Sequence, residues 1–231
     1  MSNGSCPGRP PALRAFSLAA LAWLVAASPL QAQTRAVQVP YRPLPPAGAD
    51  YDLPIPPLGP DGVRLTINKN LTPDETLWHV RSAWNVAALN CLEPEHRAVL
   101  DGYKAFLKTY SRELGHTNAV LAARYRTVSL REKANTRVYN YFTVPTVRTG
   151  LCDAALAISK EFLASPPPDA ATFAAAALPR LDAPFEQFFS EYDQYRRDAT
   201  AWDEKYGAQF GSSQPGYVAV HGVGGTIGQA P

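Results

Sequence analysis

Glu93, Glu95 and His96 form the densest group of ionisable side chains in this 231-residue chain. Two carboxylates beside an imidazole are the raw material of a divalent-metal site or a general acid–base pair. Glu95, however, follows Pro94 at the start of a helical stretch, where a carboxylate complements the helix dipole, so the cluster reads as a solvated turn. Glu75 and His79 share a helix face at i and i+4, which supplies too few ligands for a stable zinc site. Asp153, Glu161 and Glu113 qualify for glycan cleavage by residue type alone, because no surrounding pattern selects one as a raised-pKa acid. His116, beside Gly115, reads as a turn residue. Gly-x-Ser-x-Gly, a phosphate-binding glycine loop and Cys-x-x-Cys-His are all absent from the sequence. No catalytic residue is therefore assigned, and neither a cofactor nor a metal is expected.

Binding chemistry has better candidates. Asn85 and Asn140 are poor mid-helix residues set among large apolar neighbours. They either satisfy each other across a helical bundle or line a polar ligand pocket with Arg81, and a buried structural network is preferred to the pocket. Arg124, Arg126, Arg131, Lys133, Arg137 and Arg148 face only Glu132 in their stretch. Between Asp182 and Glu204, seven acidic residues face only Arg196 and Arg197. The basic run, centred on Arg124, Arg126, Arg131, Lys133 and Arg137, suits an anionic polymer or lipid headgroup. The bland alternative, and the favoured one, is that the two stretches offset each other or are simply solvated. The aromatic stripe Phe185, Phe188, Phe189, Tyr192, Tyr195, Trp202 and Tyr206 reads first as core and second as a ligand groove.

The elements that must position these residues begin with an export signal. Arg9 and Arg14 precede the uncharged apolar run Ala15 to Ala27, and Ser28 to Ala32 resembles a cleavage region. The run is too short to span a membrane. Cleavage after Ala32 leaves 199 residues, and the 22 basic residues fall to 20 against 20 acidic. A neutral chain has no overall field with which to gather nucleic acid. Cys6 leaves with the leader, so Cys91 and Cys152 remain and are expected to pair in an oxidising compartment. Met1 is the only methionine, which excludes a methionine-rich copper carrier.

Prolines crowd residues 33–71 and predict an extended, polyproline-like segment, a spacer or a ligand for a partner's aromatic groove. Val63 to Ile67 alternates like a strand without an evident partner. Thr72-Pro73-Asp74-Glu75 is a capping box that opens the first helix, and Pro94 ends it. A second helix is predicted to Leu114, a third over Thr117 to Phe142 with a break near Thr127 to Leu130, and a fourth over Thr146 to Leu163. A short alanine-rich helix after Asp169 should stop before Pro179, and a last helix should begin near Pro184. The fold class is therefore all-α: an up-down bundle of about five helices over residues 72–206, with a proline-rich arm before it and a disordered glycine-rich tail over 207–231. In that arrangement the first helix ends where the fourth begins, which puts Cys91 and Cys152 at one end of the bundle.

Trp84-Asn85-Val86-Ala87-Ala88-Leu89-Asn90-Cys91, and Val138-Tyr139-Asn140-Tyr141-Phe142 leading to Leu151-Cys152, resemble a set of uncharacterised exported helical proteins of alphaproteobacteria. The resemblance spans Leu77 to Cys152 and implies a bacterial periplasmic setting, with no activity or cofactor attached. Taken together, the sequence predicts an exported, non-catalytic envelope protein that meets an envelope protein or anionic polymer through a helical face. A cell-wall glycan hydrolase and a small-ligand carrier are the alternatives.

Overall fold

A computed structural model describes residues 38–222. The predicted leader (1–32) and the last residues of the predicted tail lie outside them. Seven α-helices follow one another among the described residues: α1 Pro73–Asn90, α2 Arg97–Thr109, α3 Ser111–Ala123, α4 Val128–Phe142, α5 Arg148–Ala164, α6 Ala170–Phe210 and α7 Pro215–His221. There is no strand among them; Val63 to Ile67 contributes only an isolated bridge from Arg64 to Leu58. No described helix is long and apolar enough to cross a membrane.

The capping box forms as read. The Thr72 N–H donates to Glu75 Oε2 (2.8 Å), and the Glu75 N–H donates back to Thr72 Oγ1 (3.4 Å). From there α1 runs through the centre of the molecule and touches α2, α3, α4, α5 and α6. That position explains why Leu77, Val80, Ala83, Trp84, Val86, Ala87 and Ala88 are buried on nearly every side of one helix. Trp84 is fully buried and packs against Phe106 of α2, Phe162 of α5 and Phe173 of α6. Its indole N–H donates to Ser159 Oγ (3.1 Å), which in turn donates to the Ala155 carbonyl (2.6 Å). At Gly102, α2 and α5 approach so closely that a Cβ there would sit 2.6 Å from Ser159 Cβ.

The Cys91–Cys152 disulfide forms, with Cα atoms 5.5 Å apart. It ties the end of α1 to the first turns of α5, as the bundle argument predicts.

Helix boundaries depart from expectation in two ways. The second helix ends at Thr109 rather than Leu114, the third divides at residues 124–127, close to the expected break, and α7 is added beyond the predicted bundle. Conversely, the alanine-rich segment and the last helix fuse into the 41-residue α6, which carries Pro179 and Pro184 in its interior. Each proline deletes one backbone hydrogen bond. Burial of Phe173, Ala174, Ala177, Leu178, Leu181 and Phe185 on either side of them supports the helix across the gaps. Pro184 also fills the space left by Gly150 of α5, where a Cβ would lie 2.8 Å from it.

The proline-rich segment is extended as expected, but it is not a free arm. It lies antiparallel along α6: Pro40 lies against Trp202, Arg42 against Asp203, Leu53 against Tyr192 and Asn68 against Asp182. Proline-rich extended chain leaves its carbonyls without partners of its own. α6 supplies the donors: Trp202 to the Pro40 carbonyl (3.2 Å), Tyr192 to that of Asp50 (2.7 Å), Tyr195 to that of Tyr51 (3.2 Å) and Arg196 to that of Leu53 (2.7 Å). At the other end, Gly207 to Gly222 continue α6 and form α7, with Tyr217 buried over Gly207 and Gly211. That part of the predicted tail packs because it carries its own aromatic anchor.

Candidate functional site

The charge asymmetry takes its meaning from where each side chain goes. The acidic residues of α6 do not meet the basic run. Asp203 forms a bidentate pair with the buried Arg42 (2.7 and 2.9 Å) and also contacts His221 (3.1 Å). Asp193 and Glu186 flank the buried Arg64, at 2.6 and 3.8 Å, and that guanidinium lies over the Phe189 ring. Asp182 is taken by Asn68 and by Tyr141. Four of the seven carboxylates, Asp182, Glu186, Asp193 and Asp203, thus face the proline-rich segment, which straps α6, while Glu191, Asp198 and Glu204 are exposed; of the two favoured alternatives, the charged stretches do not offset each other, and their remaining members are solvated.

The basic run occupies the end of α3, the connection to α4, and α4 itself. Two of its members are engaged: Arg124 with Glu75 (3.0 Å) and Arg131 with Asn118 Oδ1. Arg126, Lys133 and Arg137 are exposed, and no carboxylate among the described residues pairs with them. The geometry of α4 explains the split. Arg131, Ala134, Asn135, Val138 and Phe142 recur at helical spacing and turn inward onto α1. Leu130, Lys133 and Arg137, at i, i+3 and i+7, form a stripe on the outer side. Val128 and Leu130 are 76% and 48% exposed, and Tyr125 is exposed beside them.

Of the two readings of Arg81, Asn85 and Asn140, the preferred one, a buried network, holds for Arg81, whereas Asn85 and Asn140 do not satisfy each other. Arg81 donates to the Tyr139 hydroxyl (2.6 Å) and lies over the Trp78 ring, while Asn85 is half-buried on the same helix. Arg81 therefore belongs to a structural network that ties α1 to α4. Asn140 is exposed, because one residue beyond the inward Tyr139 the helix has turned by about 100°.

The histidines are placed differently from the sequence reading. His96 is buried rather than solvated, with Nε2 3.1 Å from Asp153 Oδ1 and Nδ1 3.5 Å from Glu93 Oε2. It pins the turn before α2 onto α5. His79 is also buried, and Asn68 Oδ1 lies 2.7 Å from its Nδ1. Asn68 passes the chain on to Asp182 (2.8 Å), which also accepts from Tyr141 (2.6 Å). Burial holds the His79 pKa down to about 4, with Glu75 opposing weakly, and it pushes the Asp182 carboxyl and the Tyr141 phenol up. His79 borders a cleft of about 60 Å³ between α1, α3 and α4, large enough only for water or a few atoms. Glu75 and His79 share this cleft, but no group of three or more metal-ligating side chains is assembled among the described residues.

The glycan-cleavage candidates are separately engaged. Glu161 forms a two-bond pair with Arg180 (2.6 and 2.7 Å) that lowers its pKa. Glu113 is lowered by its own backbone N–H and by Arg112. A general acid needs a shift in the other direction. Asp153 belongs to His96.

The buried cations Arg42 and Arg64, and the chain from His79 to Asp182, went unread in the sequence because their partners are more than 100 positions away. Comparison with protein-family models, with curated proteins and with solved structures finds no match to this chain.

Proposed function

We propose that this is an exported, non-catalytic protein of the bacterial envelope, of the kind its central segment resembles, and that it docks on an anionic partner through the outer face of α4. The observation that carries the reading is the division of charge. Asp203, Asp193 and Glu186 pair with Arg42 and Arg64 of the strap, and no carboxylate among the described residues pairs with Arg126, Lys133 or Arg137. Three exposed cations without a carboxylate partner, two on α4 and one in the loop before it, make a local positive potential in a chain whose predicted mature form is neutral overall. The disulfide, which persists in oxidising compartments, supports export.

Binding to a soluble polyanion such as dextran sulfate, followed at increasing salt, tests the reading. Affinity should fall steeply as ionic strength rises, because exposed charges are screened. With each cation contributing about 1 kcal/mol, the R126Q/K133Q/R137Q variant should bind about a hundredfold more weakly. Equal affinity for the variant and the parent would refute the docking face.

A further inference from the structure

We infer that the anionic partner is the surface of a lipid bilayer, entered by the corner between α3 and α4; this rests on the reading of α4 as an anion-docking face. The charges alone do not distinguish a bilayer from a soluble polyanion. The apolar residues among them do. Val128 and Leu130, 76% and 48% exposed, sit at the first turn of α4, next to the exposed Tyr125. Arg124 and Arg126 flank the tyrosine, and Arg131, Lys133 and Arg137 follow along the helix. α3 and α4 each pack on α1 on their inner sides, and no other described element covers this corner.

A soluble polyanion rewards the cations and gives nothing to an exposed valine and leucine. An interface rewards both: aliphatic side chains enter the acyl boundary, tyrosine settles at headgroup depth, and long basic side chains reach up to phosphates. The stripe Leu130, Lys133 and Arg137 places one apolar and two basic groups on the same line of the helix. Glu132, the one acidic residue in the stretch, is also exposed and works against the attraction without cancelling it. No described helix can span a bilayer, so the contact is peripheral and salt-sensitive.

The test uses protein recovered from bacteria expressing the full chain. Co-sedimentation with vesicles of phosphatidylcholine alone, and with vesicles containing phosphatidylglycerol, is set beside binding to dextran sulfate. The parent should pellet with the anionic vesicles and not with the neutral ones. V128S/L130S should weaken vesicle binding about tenfold and leave dextran sulfate binding unchanged, whereas R126Q/K133Q/R137Q should lose both. All five positions are exposed, and an unchanged helical circular dichroism signal confirms that the variants fold. Undiminished vesicle binding by V128S/L130S, or binding to dextran sulfate without binding to vesicles, would overturn the bilayer and leave the anionic face standing. Binding to neither probe would remove both.

Discussion

At the scale of single residues, the clearest consequences come from buried polar groups. The unfolded chain takes up a proton on His79 as pH drops through about 6.5, while the fold resists until about 4. The stability this histidine contributes is therefore complete above its unfolded value and is lost progressively on acidification between the two. Asp182 works in the opposite direction, because its raised pKa makes the protonated folded form favourable at low pH. His79→Gln keeps a donor for Asn68 and removes the titration. Urea unfolding at about pH 7.5 and about pH 5 should show the parent losing about 2 kcal/mol more than the variant. Ser159→Ala should cost about 2 kcal/mol in the same assay, because it orphans the fully buried Trp84 N–H.

At the scale of elements, the strap carries the main prediction. Arg42→Ala leaves Asp203 buried with only His221 for company, and should cost about 3 kcal/mol. It should also free the proline-rich segment, so limited proteolysis would cut near residues 40–60 in the variant while the parent resists. The strap also shows how far local reading reaches. Thr72 to Glu75 announced α1 because a capping box satisfies its own backbone groups within four residues. The extended state of residues 38–71 was equally legible, since proline fixes φ locally. Its docking was not, because the donors that bind its carbonyls read as parts of an undirected aromatic stripe (Tyr192, Tyr195, Trp202) and of an acidic stretch (Arg196) until α6 is placed beside it. The fusion of α6 was hidden for a related reason. Pro179 and Pro184 are strong local stop signals, and only packing on α1 and α5 overrides them.

At the scale of the whole molecule, one covalent tie and one partition of charge organise the fold. Cys91 and Cys152 are 61 positions apart, so on the chain-entropy model their bridge contributes about 4 kcal/mol. Thermal unfolding with and without a reductant should show a drop in Tm of several degrees, and an unchanged Tm would argue that the bridge constrains nothing. The pairing was readable because two helix ends had to meet at one end of the bundle. The candidate site was readable only in part. The sequence located the basic run, but whether it was neutralised depended on the destination of α6's carboxylates, which no local pattern encodes. Arg42 and Arg64 draw three of those carboxylates, Asp203, Asp193 and Glu186, from inside a segment that looked like a spacer.

Retention on an immobilised polyanion separates binding by a local face from binding by net charge. R126Q/K133Q/R137Q removes three positive charges from α4 and the loop before it, and E191Q/D198Q/E204Q removes three exposed negative charges from α6. The first variant should elute at much lower salt than the parent, and the second should elute with it. Shifts of equal size in opposite directions would show that only overall charge matters, and would contradict a docking face on α4.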